Sequence, residues 1–278
     1  MNHDDPHPAG PAAPVVASED DHRLAADLAV GAGEVLLALR EELASAGATS
    51  SELKDAGDRA AQEYLARRLA DERPDDAVLS EEGSGDAGPR GTDRLGRPRV
   101  WIIDPLDGTR EYAEPPRDDW AVHVALVSAE VPIAGAVALP AQGRILSASP
   151  ACALPAAPPA RPRVIVSRSR PPAVALHLAH ELGADLVEMG SAGAKVAAVV
   201  LGVADVYPHA GGQYEWDSCA PAAVALAAGL VATRLDGSPL RYNQADPYLP
   251  DLLVCHPALG ADVRAILDAA PGGWSDGG

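Results

Sequence analysis

The run Val100-Trp101-Ile102-Ile103 is apolar at every position and stops at Asp104-Pro105-Leu106-Asp107-Gly108-Thr109. Four apolar residues in succession, several of them β-branched, read as a strand buried on both faces, so layers of structure must cover it on either side. That strand then ends in two carboxylates, which are costly to bury unless a cation sits between them. Pro105 forces a turn, so Asp104, Asp107 and the Leu106 carbonyl can converge on one point, and Gly108 lets the backbone approach a ligand closely. Magnesium takes hard oxygen ligands in octahedral geometry and keeps several waters, which suits such a partial cage.

The chain of 278 residues is long enough for a large hydrophobic core, and 22 Lys and Arg against 40 Asp and Glu give it a formal charge of −18. A surface this acidic repels nucleic acid and anionic membranes, so neither is expected as a partner. Any phosphate-bearing substrate must instead be met by local cations. Cys152, Cys219 and Cys255 are an odd number without C-x-x-C spacing, which fits reduced, buried thiols in a cytoplasmic protein. The first residues carry neither a basic segment nor an apolar run, so neither a signal peptide nor a membrane anchor is expected.

Periodicity predicts helices over 20–44, after Ser18 and Asp21 as a starting box, and over 57–72, ending before Pro74. A short strand is expected at 77–80, a mobile Gly- and Arg-rich loop at 83–98, and further strands near 120–128, 133–139 and 144–149. Residues 151–162 are proline-rich and read as a linker. Beyond it strands (163–167, 186–189, 204–207, 230–234, 251–255) alternate with helices (172–182, 192–201, 217–228, 259–269). The expected division is a disordered tail over 1–17, an N-terminal helix-and-sheet part over 18–155, a C-terminal α/β part over 156–270 and a flexible tail over 271–278.

Three motifs in order make the sequence recognisable: Leu79-Ser80-Glu81-Glu82, Val100 through Thr109, and Glu215-Trp216-Asp217 before small residues. Together they resemble the signatures of the inositol monophosphatase superfamily. Gly190-Ser-Ala-Gly-Ala-Lys195, His209 to Gln213 and Arg241-Tyr-Asn-Gln244 are similar to its actinobacterial CysQ branch of 3′-phosphoadenosine 5′-phosphate phosphatases. Haloacid-dehalogenase phosphatases also carry an Asp-Gly-Thr, but their two Asp residues lie two apart where these lie three apart, which disfavours a covalent aspartyl-phosphate route.

The resemblance implies a layered α+β (αβαβα) sugar-phosphatase-like fold, two or three magnesium ions, and metal ligation by Glu81, Asp104, the Leu106 carbonyl, Asp107 and Asp217. It implies catalytic roles for Glu81 and Thr109 in holding the attacking water and for Asp58, placed at the start of the second helix, as proton acceptor. Substrate contacts implied in the same way are Asp107, Gly108, Thr109, Arg110, Ser167, Arg170, Ser191, Lys195 and Asp217. The expected reaction removes the 3′-phosphate of adenosine 3′,5′-bisphosphate, or of its sulfated relative, to leave AMP or its sulfated form, and a homodimer is possible. Inositol-1-phosphate and fructose-1,6-bisphosphate are the alternatives of the same class, and a catalytically silent metal or nucleotide sensor is the alternative of another. His177 and His180 lack a third ligand, His123 reads as a hydrogen-bonded core residue, and Tyr112 and Trp120 as packing near the site mouth.

Overall fold

A computed structural model of the chain describes residues 15–270. Helix α1 (Glu19–Ser45) starts where Ser18 Oγ accepts the Asp21 N–H and Asp21 Oδ2 accepts the Ser18 N–H, a reciprocal cap. Its Leu24, Leu28 and Leu36 are buried, each contributing about 1.5–3 kcal/mol relative to exposure. Helix α2 (Ser50–Glu72) begins earlier than the periodicity predicts, because Thr49 and Glu52 form a second capping box. Asp58 consequently lies inside this helix and not at its start.

The two helices cover one face of a five-stranded sheet. Its strands are β1 (Ala77–Ser80), β2 (Val100–Asp107), β3 (Ala121–Ser128), β4 (Val131–Leu139) and β5 (Arg144–Ser147), in that spatial order. Strand β1 runs parallel to β2, and the other neighbours are antiparallel. Trp101, Ile103, Val122, Val124 and Leu126 face α1 and α2, while Val100, Ile102, Ala125 and Val127 point to the opposite side. There they meet α5 (Ala192–Val200) and α6 (Glu215–Ala227).

Behind that helical layer lies a second sheet. It consists of β6 (Arg163–Ser167), β7 (Asp185–Met189), β8 (Val206–Tyr214), β9 (Val231–Thr233) and β10 (Tyr248–Cys255), ordered β7-β6-β8-β10-β9. Its outer face packs Val164 and Val166 against Val174 and Leu178 of α4 (Ala173–Glu181) and Val263 and Leu267 of α7 (Gly260–Ala269). The result is the five-layer αβαβα arrangement that the resemblance implies. One apolar cluster runs from Leu79 of the first sheet to Val254 of the second, so the two parts of the chain share an interior.

Several expectations are corrected. Strand β2 does not stop at Asp104 but continues to Asp107, and β8 runs on to Tyr214 because it stays paired with β10. The 83–98 segment is built of short 3-10 turns at Gly85–Ala87 and Asp93–Gly96. Arg94, only 1% exposed, ties it to the carbonyls of Gly91 and Gln244. The tails expected at 1–17 and 271–278 fall outside the described residues except for 15–17, where the Val15 N–H donates to Ser128 Oγ at 3.1 Å. Tyr112 and Trp120 are fully buried, packed edge to face at 5.1 Å under Arg40, well inside the N-terminal core. All three cysteines are free thiols, and among the described residues no helix is long and apolar enough to cross a membrane.

Candidate metal centre and active site

In a regular strand, residues three apart point to opposite faces of the sheet. Asp104 and Asp107 escape this because β2 bulges between them: Asp104 pairs with His123 and Asp107 with Ala121, positions two apart on β3. Pro105, with no N–H to donate, occupies the irregular stretch, and Leu106 turns to the α1–α2 side while both carboxylates face α5 and α6. The convergence expected from a turn is thus achieved within the strand. Carboxylate oxygens of Asp104, Asp107 and Asp217 come within 4.8 Å of one another. Strand β1 ends at Ser80 opposite Ile103, which brings Glu81 to the same end of the sheet.

Asp217 is the third residue of α6 and accepts the Tyr214 N–H at 2.6 Å, so the free N–H groups of that helix help stabilise its charge. Asp107 is held most tightly. Ser191 Oγ and the N–H groups of Ala192 (3.1 Å) and Gly193 (2.6 Å) all donate to it from the start of α5. His123, fully buried, approaches it with Nε2 at 3.3 Å, its ring fixed by Nδ1–H donating to the Trp216 carbonyl at 3.0 Å. A Cβ on Gly193 would lie 1.9 Å from that Nε2, so only glycine fits against the imidazole. Burial alone would raise the Asp107 carboxyl, but His123, Ser191 and Lys195 outweigh it and hold it down at about 2.

The remaining acids move the other way. Burial first, then Glu81 and Asp107, pushes Asp104 well above the carboxylate range. Glu81 is exposed at its surface, yet the loss of solvation around its carboxyl, followed by repulsion from Asp217, Glu82, Asp107 and Asp58, pushes it up to about 8. Asp217 rises to about 6 through burial and Asp107. Asp104 Oδ1 accepts the Leu106 N–H at 3.0 Å, whereas Oδ2 is buried without a hydrogen-bond partner. Three carboxyls so close, with a buried oxygen left unpaired and Glu81 electrostatically coupled to them, are a donor set that could hold a divalent cation.

Beside the acids, Thr109 Oγ1 lies 3.1 Å from the Leu106 carbonyl and 3.4 Å from Asp58 Oδ1. Gly108, at φ 85°, supplies the left-handed residue that turns β2 into the single-turn helix α3 (Thr109–Tyr112). Asp58 is half-buried on α2, and burial reinforced by Glu82, against the opposing Thr109 hydrogen bond, brings it up to about 7. A carboxyl in the third turn of a helix, facing a hydroxyl of another element, is not a helix cap.

Of the expected phosphate partners, Arg110 and Arg170 are exposed, and Ser167 Oγ accepts the Arg170 N–H at 3.3 Å. Ser191 is at hand, its backbone held at φ 42°. Lys195 departs from expectation. It is 6% exposed, and Nζ donates inward to the carbonyls of Gly190 (3.1 Å) and Ser191 (2.6 Å), over the Tyr207 ring. Those carbonyls turn into the interior and need a donor, so the ammonium closes the turn and does not reach outward. Burial lowers its pKa, while Asp107, Glu111, Asp217 and Asp119 favour the charge.

Three further residues escaped the sequence reading of the site. His123 was legible as buried, but its contact with Asp107 depends on the β2–β3 register, which no local pattern states. Asp119 accepts the Gly190 N–H at 2.6 Å, and Glu111 pairs with Arg168 at 2.8 Å, joining α3 to the end of β6. These pairings span 57 residues or more, beyond any spacing rule.

Residues 19–152 and 163–267 match the model of the inositol monophosphatase family. The chain belongs to that family. It is 52% identical over 245 residues to the 3′-phosphoadenosine 5′-phosphate phosphatase of Mycobacterium bovis, covering 85% of this chain and 87% of that one. To the 3′(2′),5′-bisphosphate nucleotidase CysQ of Escherichia coli K12 it is 33% identical, over 70% of this chain and 81% of the relative. Among solved structures, CysQ of Bacteroides thetaiotaomicron superposes with a TM-score of 0.69 at 27% identity, covering 86% of this chain and 97% of that chain. The motifs that suggested the family and the layers that carry them therefore coincide.

Proposed function

We infer that this protein is a magnesium-dependent phosphatase that removes the 3′-phosphate of adenosine 3′,5′-bisphosphate to leave AMP, working in the cytoplasm. The nucleotide is the substrate in the names of its family relatives. The observation that carries the chemistry is the Thr109–Asp58 pair standing beside the converged carboxylates. A silent sensor has no use for a hydroxyl and a carboxyl so arranged.

Glu81, Asp104, the Leu106 carbonyl, Asp107 and Asp217 would hold the magnesium ions, two or three in number. Magnesium bound there supplies Lewis acidity to the phosphoryl oxygens, the leaving oxygen and water. Glu81 and Thr109 orient the attacking water, and Asp58 takes its proton through the Thr109 hydroxyl. Gly108 and Thr109, at the start of α3, and Ser191, at the start of α5, bind the phosphoryl group from two sides. Arg110, Ser167 and Arg170 meet the substrate's other anionic groups. Lys195 serves by fixing the Gly190–Ser191 turn that in turn orients Asp107.

The test is phosphate release from adenosine 3′,5′-bisphosphate, inositol-1-phosphate and fructose-1,6-bisphosphate, each with magnesium and with chelator. The reading requires metal-dependent release and the highest kcat/KM on the nucleotide. No release from any of the three would refute the phosphatase, and a sugar phosphate ranking first would refute the nucleotide.

A further inference from the structure

A cavity of about 610 Å³ lies beside the acid cluster, between the segment that follows Glu81-Glu82 and the start of α6. One wall is Tyr214 and Trp216. The other is Gly83, Gly88, Pro89 and Arg90. The two aromatic rings lie nearly parallel, 9° apart with centroids at 4.7 Å, and they differ sharply in exposure. Trp216 is 3% exposed and anchored in the core, whereas Tyr214 is 45% exposed with one face against Trp216. Tyr248 stands edge-on to Tyr214 at 6.0 Å and restrains it from the side.

A tyrosine held in this way is a rigid flat platform that loses little freedom when a second ring stacks on its open face. The platform is also wired to the acids. The Tyr214 N–H donates to Asp217 Oδ2 at 2.6 Å, and the two residues are separated by less than one helical turn, about 5 Å of rise. That is the scale of the separation between a nucleoside's base and the phosphate on its ribose. Stacking on a neutral ring is indifferent to the chain's charge of −18, and Arg90 is the only cation among the lining residues. A sugar phosphate or inositol phosphate offers no flat face to such a wall.

We propose that the open face of Tyr214 is the purine-base subsite, so that Tyr214, backed by Trp216, makes the site select a nucleotide over a sugar phosphate. This rests on the nucleotide reading above and adds to it the residue that recognises the base.

The test compares binding of AMP and of ribose 5-phosphate by calorimetry, with magnesium, in the wild type, Tyr214→Ala and Tyr214→Phe. Base stacking is lost on alanine substitution by roughly 10- to 100-fold in affinity. Wild type should bind AMP more tightly than ribose 5-phosphate, Tyr214→Ala should erase that preference, and Tyr214→Phe should retain it. An equal loss on both ligands in Tyr214→Ala, or a preserved AMP preference, overturns the proposal. Kinetics on adenosine 3′,5′-bisphosphate separate the two readings. Turnover of the nucleotide with a KM insensitive to Tyr214→Ala overturns the subsite and leaves the reaction standing. Tyr214-dependent AMP binding without turnover supports the subsite and refutes the reaction.

Discussion

Asp58 reaches Thr109 from a different layer of the fold: its Oδ1 stands 3.4 Å from the Thr109 hydroxyl, across 51 residues of sequence. Helix α2 brings the acid and the end of β2 brings the hydroxyl, so neither element alone would carry the proposed proton path. Burial and Glu82 bring Asp58 up to about 7, which suits a group that must take up a proton near neutrality.

Asp58→Asn keeps the shape and removes the proposed proton acceptor. Turnover should fall by roughly 10²- to 10⁴-fold, the usual range for a lost general base, with KM changed only a few-fold. Steady-state kinetics beside a melting curve check this. A variant that keeps a third of wild-type kcat would return Asp58 to a purely structural role.

The proposed metal ligands should trade stability against activity. Asp104 is buried, crowded by acids and leaves Oδ2 unpaired, so Asp104→Asn should stabilise the chelator-treated protein by about 1–3 kcal/mol, several degrees in Tm. The same variant, like Asp107→Asn and Asp217→Asn, should lose nearly all turnover. Melting curves with chelator and with magnesium provide the comparison, and an Asp104→Asn protein less stable than wild type in chelator would contradict the crowding argument.

On the proposed reading, protons and the cation compete for the same carboxyls. Glu81 at about 8 and Asp217 at about 6 lie above their unfolded values, so the metal-free fold binds protons that the unfolded chain has released. This contribution is therefore fully present below about pH 4 and is lost as pH rises through 6 and then 8. Chelator-treated protein should melt progressively lower across that window, and the increment restored by magnesium should grow with pH. An increment that is flat between pH 5 and 8 would show that these groups are not the cation's ligands.

Lys195→Ala strips two buried carbonyls of their donor and removes a positive charge close to Asp107 and Asp217. Stability should fall by about 2–4 kcal/mol. Turnover of adenosine 3′,5′-bisphosphate and of inositol-1-phosphate should drop by similar factors, since both depend on Asp107 and the turn. A KM rise confined to the nucleotide would instead make Lys195 a direct phosphate contact.

What could be read from the sequence was what neighbouring residues settle among themselves. The apolar run 100–103, the Asp-Gly-Thr that follows and the alternation after residue 162 each announce their element within a few positions. The Thr49–Glu52 box is equally local, and it sets the start of α2 seven residues before the expected one, so that Asp58 lies inside the helix. The inward direction of Lys195 was hidden for a different reason. Its direction depends on the Ser191 backbone at φ 42°, a conformation that Ser does not signal. The His123–Asp107 contact depends on a strand register shifted by the bulge, a property of the pair of strands and of neither one.

That bulge also limits how this chain can vary through descent. Losing either Pro105 or Leu106 would leave the two carboxylates two apart and so still on one face, but it would close the bulge and draw into the ladder the unpaired stretch whose carbonyl meets Thr109. Substitutions at those two positions can be sampled singly and mended later. A one-codon deletion there has no graded intermediate, so this stretch is expected to drift in letter while staying fixed in length.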